Sequence, residues 1–342
     1  MSGSKHDNDS LGIKVSIVIP VRNEEYHIHK TLDSIVNQNF PREKYEIIVV
    51  DGMSEDRTRN ILHQYQIKYP GLIRILDNPG KIQPTGWNIG IRNSNGKYVH
   101  YTTGHVLLDD HYLSTLVKEL DFAPNEVAGI GGIYVQPEDE KPFAKIIADV
   151  ESSILSHTSR ESNDVITFVD TINWGVYRKE VLESVGLADE RFTRGNDLEL
   201  NSRIRRAGYK LMTCRNAKGY YYRKYNSLKS FSKRMMIYGM WAAFAVKKNH
   251  NSFKILYLLP LIMSISLILF IPLMFFYPLL DVVILFGLLV YFIILLISSI
   301  HLAFRRKNIK YLLAIPIYMI EHFCYGFGFL VGIFKKIPNR KV

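Results

Sequence analysis

Short apolar runs and longer stretches with helical spacing alternate through the first hundred residues of the chain. The runs are rich in Val, Ile and Tyr, and they read VSIVIPV at 15–21, YEIIVVD at 45–51, LIRILDN at 72–78 and KYVHYTT at 97–103. Runs this short and this apolar are typical of parallel strands that helices cover on both faces. The pattern therefore predicts a Rossmann-like α/β domain.

The order of elements becomes mixed after residue 125. An apolar run, GIGGIYV, is followed by a helical stretch from about 143 to 155, a strand-like run, VITFVDT, and helical stretches at 179–185 and 197–207. We expect the α/β domain to occupy residues 15–226, after a polar tail at residues 1–14.

Apolar residues concentrate in the last quarter of the chain. Three segments, 255–277, 282–300 and 311–334, carry no charged side chain except Glu321. Each is long enough to cross the hydrocarbon core of a bilayer, which excludes a purely soluble protein. We predict a membrane domain at 255–334 and a basic tail at 335–342.

A basic block connects the α/β domain to the first apolar segment. Residues 227–254 mix Phe, Met, Tyr and Trp with Lys and Arg, which predicts an amphipathic helix on the membrane surface. From Arg223 to Lys254 there are eight Lys or Arg and no acidic residue, so the positive-inside rule predicts a cytosolic α/β domain. The first fourteen residues lack the apolar core of a secretory signal, which agrees with this orientation. Much of the formal charge of +11 thus has a membrane explanation, and nucleic acid is not expected as a partner.

The charges that flank the apolar segments predict a multi-pass topology in the cell membrane. No Lys or Arg lies at 278–281, whereas four follow the second segment, so the first two segments should form a hairpin. The third segment is predicted to cross fully, because a helix through 311–334 would be about 36 Å long. A broken or re-entrant helix stays open as the alternative, because Pro316, Glu321 and three glycines interrupt the segment.

Polar residues follow the predicted strands at the edge where open α/β sheets bind ligands. In the turn after the first strand, backbone amides and Arg22 can converge on an anionic ligand. After the second strand, the Asp51 carboxylate can accept hydrogen bonds from the base or ribose of a nucleotide. Asn78 and residues 102–105 fall at the same edge. Helix capping by Asn23 and by Ser54 is the simpler alternative for these turns.

Several long motifs, in order, resemble the family 2 glycosyltransferases of the GT-A fold. The similarity runs from about residue 15 to 241 and is strongest in VSIVIPVRNEE, IIVVDGMSEDRT, LDNPGKIQPTGWNIGIR and VDTINWGVYRKEVLESVGLADERFTRGNDLELNSRIRRAG. Within that family, the sequence is most similar to the branch that elongates lipid-linked exopolysaccharide units, as in succinoglycan synthesis. The resemblance implies a nucleotide-sugar donor and a lipid-linked saccharide acceptor.

The resemblance also implies roles for individual residues. Asp51 would hold the uracil of a UDP-sugar, and Pro20, Asn23 and Glu24 would line the nucleotide pocket. Lys81 and Asn88 would lie on the sugar-diphosphate side. With Arg22 and Asn78, these residues form the predicted nucleotide-sugar site.

One motif departs from the family pattern. Where the family carries Asp-x-Asp or Asp-x-His to hold a divalent metal, this chain has Thr103-Gly104-His105. His105 is the candidate metal ligand, but a neutral Thr adds little charge to offset Mg²⁺ or Mn²⁺. Three alternatives follow: other residues complete the metal site, Lys81, Arg22 and the basic helix neutralise the leaving diphosphate, or the enzyme is impaired.

Asp197 matches the acidic residue that the family uses as the catalytic base. Inverting transfer needs a carboxylate to remove the proton of the attacking acceptor hydroxyl. The family's preceding Glu or Gln is Asn196 here. Capping of a helix that ends near Ala207 is the alternative, and one residue can serve both purposes.

Two residues of the basic helix match an acceptor motif weakly. Arg234 and Trp241, in KRMMIYGMW, fall where related enzymes carry a Gln-x-x-Arg-Trp-like motif. Burial of aromatic side chains along an interfacial helix is the alternative. The ionisable pair Glu321-His322 lies in the third apolar segment. It could serve as a proton relay or contact the acceptor, and the alternative is a hydrogen bond between helices.

We expect a membrane-bound inverting glycosyltransferase. It would transfer a hexose from a UDP-sugar to a polyprenyl-diphosphate-linked saccharide during surface or extracellular polysaccharide synthesis. The alternative is a catalytically weak relative that binds nucleotide sugars or scaffolds a polysaccharide assembly, and Thr103-Gly104-His105 favours that alternative.

Overall fold

The chain divides into two compact units in the computed structural model. The first comprises residues 1–135, 164–222 and 339–342, and the second comprises 136–163 and 223–338. The structure describes residues 12–138, 140–153, 155, 165–222, 227–248, 262, 265, 266 and 278–337. The predicted first apolar segment, 255–277, lies almost wholly outside the described residues.

Nine strands and ten helices are described. The strands are β1 (Val15–Val21), β2 (Tyr45–Asp51), β3 (Ile73–Asp77), β4 (Tyr98–Tyr101), β5 (Val106–Leu108), β6 (Val127–Val135), β7 (Ile166–Val169), β8 (Val176–Arg178) and β9 (Lys210–Tyr221). The helices are α1 (Ile28–Val36), α2 (Thr58–Lys68), α3 (Gln83–Arg92), α4 (Tyr112–Phe122), α5 (Pro142–Glu151), α6 (Lys179–Ser184), α7 (Asn196–Arg206), α8 (Leu228–Lys248), α9 (Pro278–Arg306) and α10 (Ala314–Phe334). Short 3-10 helices occupy Arg42–Lys44 and Ile309–Leu313.

The first unit contains a mixed sheet in the order β3-β2-β1-β4-β8-β6-β9-β5, with β7 paired to β9. The four strands from β3 to β4 are parallel, as their apolar runs predict. β8 is antiparallel to both β4 and β6, and β6 is parallel to β9. The predicted Rossmann-like α/β domain is confirmed.

Both faces of this sheet are covered, which explains why its central strands are apolar throughout. All seven residues of β1 are buried, and so are all seven of β2. Ile17 and Ile19 pack in one core with α1 and α4, whereas Val18 and Val50 pack in the other with α3. Side chains alternate across a strand, so continuous burial requires a layer on each side.

The second unit is helical, and two of its helices are long and apolar enough to cross a membrane. They span Val282–Arg306 and Ile309–Phe334, and they are the only such helices among the described residues. They cover the second and third predicted segments, and the second segment continues to Arg306. The first helix is largely exposed, which is the pattern of a surface that faces lipid.

α8 packs along α10 through small residues. A Cβ on Gly239 would overlap the Tyr325 carbonyl, and a Cβ on Gly328 would overlap the Met236 backbone. A Cβ on Gly332 would lie 2.7 Å from the Ala243 Cβ. Small residues allow helix backbones to approach this closely, as in membrane helix pairs. The membrane-surface location of α8 stays a prediction.

Polar side chains connect the helices of the second unit. Asp149 on α5 accepts hydrogen bonds from Arg306 and from the Tyr311 hydroxyl, each at 2.5 Å. His322 Nε2 donates to the Leu155 carbonyl at 3.0 Å, and Nδ1 lies 2.9 Å from the Tyr291 hydroxyl. His322 therefore forms the hydrogen bond between helices that was one of its two predicted roles.

Candidate active site

The ends of β1, β2 and β3 meet at the edge of the sheet where the sequence pattern predicts a ligand. Val21, Asp51 and Asp77 lie at one level in the parallel register. Beyond that level, the Gly52 N–H donates to the Val21 carbonyl at 2.7 Å, and the Asn78 N–H donates to the Asp51 carbonyl at 2.8 Å. Three successive turns are thus hydrogen-bonded to one another.

Asn23 connects the turn after β1 to the turn after β2. Its backbone has a φ of 52°, in the left-handed region that Asn tolerates. Its N–H donates to Ser54 Oγ at 3.0 Å, and its Oδ1 accepts from the Glu55 N–H at 2.9 Å. The next N–H, of Glu24, donates to Thr58 Oγ1 at 2.8 Å. The predicted helix cap at Asn23 is wrong, because α1 begins only at Ile28.

Asp51 is buried, and both of its carboxylate oxygens accept hydrogen bonds. Oδ1 accepts from the Ser54 N–H at 3.2 Å and from Ser54 Oγ at 2.6 Å. Oδ2 accepts from Arg59 at 3.1 Å, and the same Arg59 nitrogen donates to Asp77 at 2.5 Å. The predicted cap by Ser54 is also wrong, because α2 begins at Thr58.

Arg59 is a site residue that the sequence analysis missed. Its guanidinium bridges the carboxylates of two neighbouring strands, and hydrogen bonding to Asp77 is the main cause that raises the pKa of Arg59. The signal in the sequence was available: Asp51 and Asp77 end adjacent strands, so a cation between them was to be expected.

Pro20 and Arg22 lie on either side of the first turn. Pro20 is buried at the end of β1, where a Cβ on Gly86 of α3 would approach the Pro20 Cβ to 2.7 Å. The Arg22 guanidinium lies at the surface, 3.5 Å from Glu55 Oε1. Pro20 therefore forms part of the wall of the candidate site, and Arg22 contributes an accessible cation to it.

Asn78 builds the turn that presents Lys81. Its Nδ2 donates to the Ile82 carbonyl, its Oδ1 accepts from Thr85 Oγ1, and its own carbonyl accepts from the Lys81 N–H at 3.0 Å. Lys81 itself has a φ of 58°. The Lys81 ammonium forms no ion pair within the described residues, so it remains available for a phosphate.

Asn88 fixes the loop in front of α7. Its Nδ2 donates to the Ala188 carbonyl at 2.9 Å and to Glu190 at 2.8 Å, while its Oδ1 accepts from the Ala188 N–H at 2.9 Å. All of these partners lie about a hundred residues away in the sequence. The geometry gives Asn88 a positioning role, and its contact with a sugar diphosphate stays a prediction.

The Thr103-Gly104-His105 segment lies against the first turn. A Cβ on Gly104 would lie 2.9 Å from Glu24 Cγ and 3.0 Å from Val21 Cγ1, so glycine permits the close approach. His105 Nδ1 lies 3.0 Å from Glu24 Oε1. A carboxylate only accepts, so Nδ1 donates this hydrogen bond.

The residues at this edge do not fit a divalent ion held by the protein. The described residues contain no group of three or more His, Cys, Asp or Glu side chains arranged to hold a metal. His105 offers one nitrogen, whereas Mg²⁺ and Mn²⁺ favour several oxygen ligands. Thr103 supplies only a neutral hydroxyl.

Asp197 lies in the first turn of α7, as predicted for a base at a helix start. Gly195 precedes the helix with a φ of 63°, and the Leu198 N–H donates to Asp197 Oδ1 at 2.9 Å. Asn196 Nδ2 lies 3.4 Å from Gln83 Oε1, at the first residue of α3. The start of α7 therefore lies beside the turn that presents Lys81.

Two stacked tyrosines connect β4 to α7. The Tyr101 hydroxyl donates to the Tyr177 hydroxyl at 2.8 Å, which donates to Asn201 Oδ1 at 2.9 Å. Burial raises the pKa of both tyrosines, and the Asp197 charge adds to the effect. Both hydroxyls therefore stay protonated, and they fix α7 relative to the sheet.

The two predicted acceptor residues belong to the second unit. The Arg234 guanidinium lies 4.8 Å from the centre of the Tyr238 ring. Trp241 is buried and packs edge-on against Phe244 at 5.3 Å. Burial of aromatic side chains along α8 was the alternative for this motif, and their acceptor role stays a prediction.

Comparisons with known proteins agree with this fold. The family described as Glycosyl transferase family 2 matches residues 16–186. One relative, from Methanococcus voltae, is 31% identical over 335 residues, which cover 94% of this chain and 97% of that protein. Its name is dolichyl N-acetyl-alpha-D-glucosaminyl phosphate 3-beta-D-2,3-diacetamido-2,3-dideoxy-beta-D-glucuronosyltransferase. The succinoglycan biosynthesis protein ExoA of Rhizobium meliloti is 27% identical over 211 residues, covering 60% of this chain and 62% of the relative.

A solved structure extends the likeness to nearly the whole chain. The mannosyltransferase PcManGT from Pyrobaculum calidifontis, in complex with GDP-Man and Mn²⁺, has a TM-score of 0.59 at 17% identity, covering 93% of this chain and 90% of that one. At this identity the likeness concerns the fold. The chain belongs to glycosyltransferase family 2, and the predicted family, GT-A fold and enzyme class are confirmed.

Proposed function

We propose that the protein is a membrane-bound inverting glycosyltransferase that transfers a hexose from a UDP-sugar to a saccharide linked to a polyprenyl phosphate or diphosphate. The contact between Asn196 and Gln83 carries this proposal, because it brings the start of α7, with Asp197, beside the Lys81 turn. A carboxylate next to a phosphate-binding turn is the arrangement that glycosyl transfer to a hydroxyl requires.

On the donor side, Asp51 binds the uracil. Ser54 donates twice to Oδ1 and Arg59 donates once to Oδ2, so Oδ2 keeps a further lone pair for the uracil N–H. Arg22 and Lys81 face the diphosphate, and the Lys81 ammonium offsets the charge that develops on the leaving group. Pro20, Asn23 and Glu24 shape the nucleotide pocket.

The chemical step is a single displacement at the anomeric carbon. The acceptor hydroxyl gives its proton to the Asp197 carboxylate while its oxygen forms the new bond to that carbon. The bond between the anomeric carbon and the diphosphate breaks, and UDP leaves with the electron pair. Attack from the face opposite the diphosphate inverts the configuration.

The acceptor assignment is supported by the membrane unit and by the Methanococcus voltae relative, whose name specifies a dolichyl-linked acceptor. The apolar helices would keep the enzyme at the surface where a lipid-linked saccharide resides. We assign the α/β domain to the cytosolic face, because α8 carries Lys229, Lys233, Lys247 and Lys248 and no acid. Labelling of a cysteine at Val342 from one side tests the predicted three crossings, and labelling only from the cytosolic side contradicts them.

Transfer assays test the proposed activity. Membranes containing the full-length protein are incubated with radiolabelled UDP-sugars and extracted lipid acceptors. We expect label in the lipid fraction for wild type, and a loss of about a thousandfold for Asp197→Asn. Glu43→Gln, which removes an exposed carboxylate in a 3-10 helix, is the matched control and should retain activity. No transfer by wild type with any donor and acceptor would contradict the enzyme assignment.

A second candidate function is a nucleotide-sugar-binding relative without turnover. It is favoured by Thr103, which replaces the family's metal-binding carboxylate, and by the lack of a metal-ligand group among the described residues. Binding of UDP-sugars by a wild-type protein that transfers nothing would support it.

A further inference from the structure

Buried polar atoms without hydrogen-bond partners collect at one end of β4. Thr102 is fully buried and Thr103 is 6% exposed, yet neither hydroxyl has a partner within the described residues. The Asn173 Oδ1 atom, just before β8, is also buried and without a partner. Most buried polar atoms in folded proteins are hydrogen-bonded, so such a group calls for an explanation.

The sheet register brings these residues together. β4 and β8 are antiparallel, and their last described pair on this side is His100 with Val176. Thr102 and Thr103 therefore leave β4 at the end where Asn173 and Trp174 enter β8. The position of Thr102 is fixed, because its N–H donates to the Val18 carbonyl at 3.0 Å.

Trp174 is held in a strained conformation at this place. Its φ is 45°, which is rare for a bulky residue and persists only when the surroundings enforce it. The Tyr112 and Tyr134 hydroxyls, which are hydrogen-bonded to each other at 2.9 Å, lie 3.3 and 3.4 Å from its carbonyl oxygen. Gly175 is confined as well, because a Cβ there would lie 2.6 Å from Ile172 Cδ1.

The Trp174 ring connects this place to the donor side. It lies 5.2 Å from the Tyr221 ring, which lies 5.4 Å from the His105 ring. The indole N–H of Trp174 has no hydrogen-bond partner within the described residues, although a half-buried Trp usually finds one. Ring contacts thus connect Trp174, through Tyr221, to His105 in the segment that contains Thr103.

We propose that Thr102, Thr103, Asn173 and Trp174 form a neutral hydrogen-bonding site for the hydroxyl or acetamido groups of the donor sugar, and that this site works without a metal ion. The inference rests on the proposed function, because it assumes a nucleotide-sugar donor. In this chain Thr103 occupies the position of the family's metal-binding carboxylate, and the inference gives that position a role in binding the sugar instead of a metal.

The chemistry of the four groups supports a sugar as their ligand. An amide oxygen accepts, an indole N–H donates, and a threonine hydroxyl does both, which matches the groups of a sugar. A divalent ion would need carboxylates, and neither Thr102, Thr103, Asn173 nor Trp174 supplies one. The Thr103 segment packs against the first nucleotide turn, which favours the donor over the acceptor.

Calorimetric titration of the full-length protein in detergent tests the inference. The probes are UDP, UDP-glucose, UDP-N-acetylglucosamine and UDP-glucuronic acid, each with and without excess EDTA. We expect Thr103→Val to weaken the tightest-binding UDP-sugar about five- to tenfold while UDP changes less than twofold. Thr103→Ser, which keeps the hydroxyl, should stay within about threefold of wild type, and EDTA should change none of these values.

Thr31→Val is the matched control, because Thr31 is fully buried in α1 and its hydroxyl also lacks a described partner. Its sugar binding should equal that of wild type. If Thr103→Val fails to fold, as judged by its thermal midpoint, Trp174→Phe replaces it, since it keeps the ring and removes the N–H. It too should weaken the UDP-sugar more than UDP.

Several results would overturn the inference. These are an equal loss for UDP and UDP-sugar, no loss at all, a change only in the acceptor KM, or a loss of wild-type sugar binding in EDTA. If wild type neither binds nor transfers any nucleotide sugar, the proposed function fails first and the inference fails with it. If wild type transfers normally and Thr103→Val binds as wild type does, only the inference fails.

Discussion

The turn after β2 and the end of β4 lie at the same edge of one sheet, but they differ in whether their polar groups have hydrogen-bond partners. In the turn, Asp51, Ser54 and Arg59 satisfy one another, and Asn23 joins the neighbouring turn. At the end of β4, the hydroxyls of Thr102 and Thr103 have no described partner. The first region is organised before a ligand binds, which would lower the entropic cost of binding the proposed nucleotide. The second leaves its hydrogen bonds to be completed by the ligand.

Among the tests of this comparison, the largest expected effect concerns acid stability at the end of β4. Burial lowers the pKa of His100 to about 4, from 6.5. The unfolded chain therefore binds an additional proton between these values. Stability from this source is complete above about pH 6.5 and is lost as the pH falls toward 4, by about 3 kcal/mol.

Thermal unfolding midpoints of the full-length protein between pH 7 and 4 check this expectation. His100→Asn can still donate to the Gly175 carbonyl, as His100 does at 3.2 Å, but it cannot be protonated. Its midpoint should fall less steeply with acid than that of wild type. Equal slopes for the two proteins would mean that the buried imidazole does not govern this region.

The second prediction weakens the organised turn. Asp51→Asn removes the buried charge that Arg59 contacts, and it replaces one acceptor oxygen by a donor. We expect UDP to bind about thirtyfold more weakly, as for the loss of a charged hydrogen bond. Asp77→Asn is the control, because Asp77 contacts the same guanidinium but has a side chain that is 57% exposed. A comparable loss in both variants would show that Arg59, rather than Asp51, determines nucleotide affinity.

The third prediction converts the end of β4 into the family's pattern. Thr103→Asp restores a carboxylate two residues before His105, and it should tighten Mn²⁺ binding about tenfold. Wild-type transfer should persist in excess chelator, with His105→Ala showing no greater metal requirement. Chelator-sensitive wild-type activity, with a raised requirement in His105→Ala, would instead establish His105 as a metal ligand.

The smallest expected effect is in the turn itself. Ser54→Ala removes a hydroxyl that donates to Asp51 and accepts from the Asn23 N–H. Because other hydrogen bonds still connect the two turns, we expect UDP affinity to fall about fivefold. Ser114→Ala, on α4, is the control for losing an exposed hydroxyl. A loss as large as that of Asp51→Asn would mean that the turn depends on this single hydroxyl.

The positions of the strands and of the main polar residues could be predicted from local pattern. Asp51 ends an apolar run, so it had to lie at the edge of a parallel sheet, and Asp197 begins a helix as expected. The helix caps at Asn23 and Ser54 could not be judged in this way. Each side chain had an alternative partner in the other turn, about thirty residues away. In the structure the hydrogen bonds between the turns form, and the helix caps do not.

Contacts between distant segments decided the remaining features. His105 and Glu24 are 81 residues apart, and Asn196 and Gln83 are 113 apart, so no local period relates them. The close packing of α8 against α10 depends on which faces carry Gly239 and Gly328, and it became visible only with both helices in place.

The sequence by itself determined the parallel half of the sheet and the second and third apolar segments, because burial leaves apolar runs whose length and spacing can be counted along the chain. The family was predicted from the resemblance of its long motifs. Which polar groups meet was decided by the tertiary structure alone. A hydrogen bond depends on distance and direction in space to within a few tenths of an ångström, and the order of residues along the chain carries no such measure. Thr103 is the example: its hydroxyl is an ordinary polar group in the sequence, and only the fold leaves it buried without a described hydrogen-bond partner.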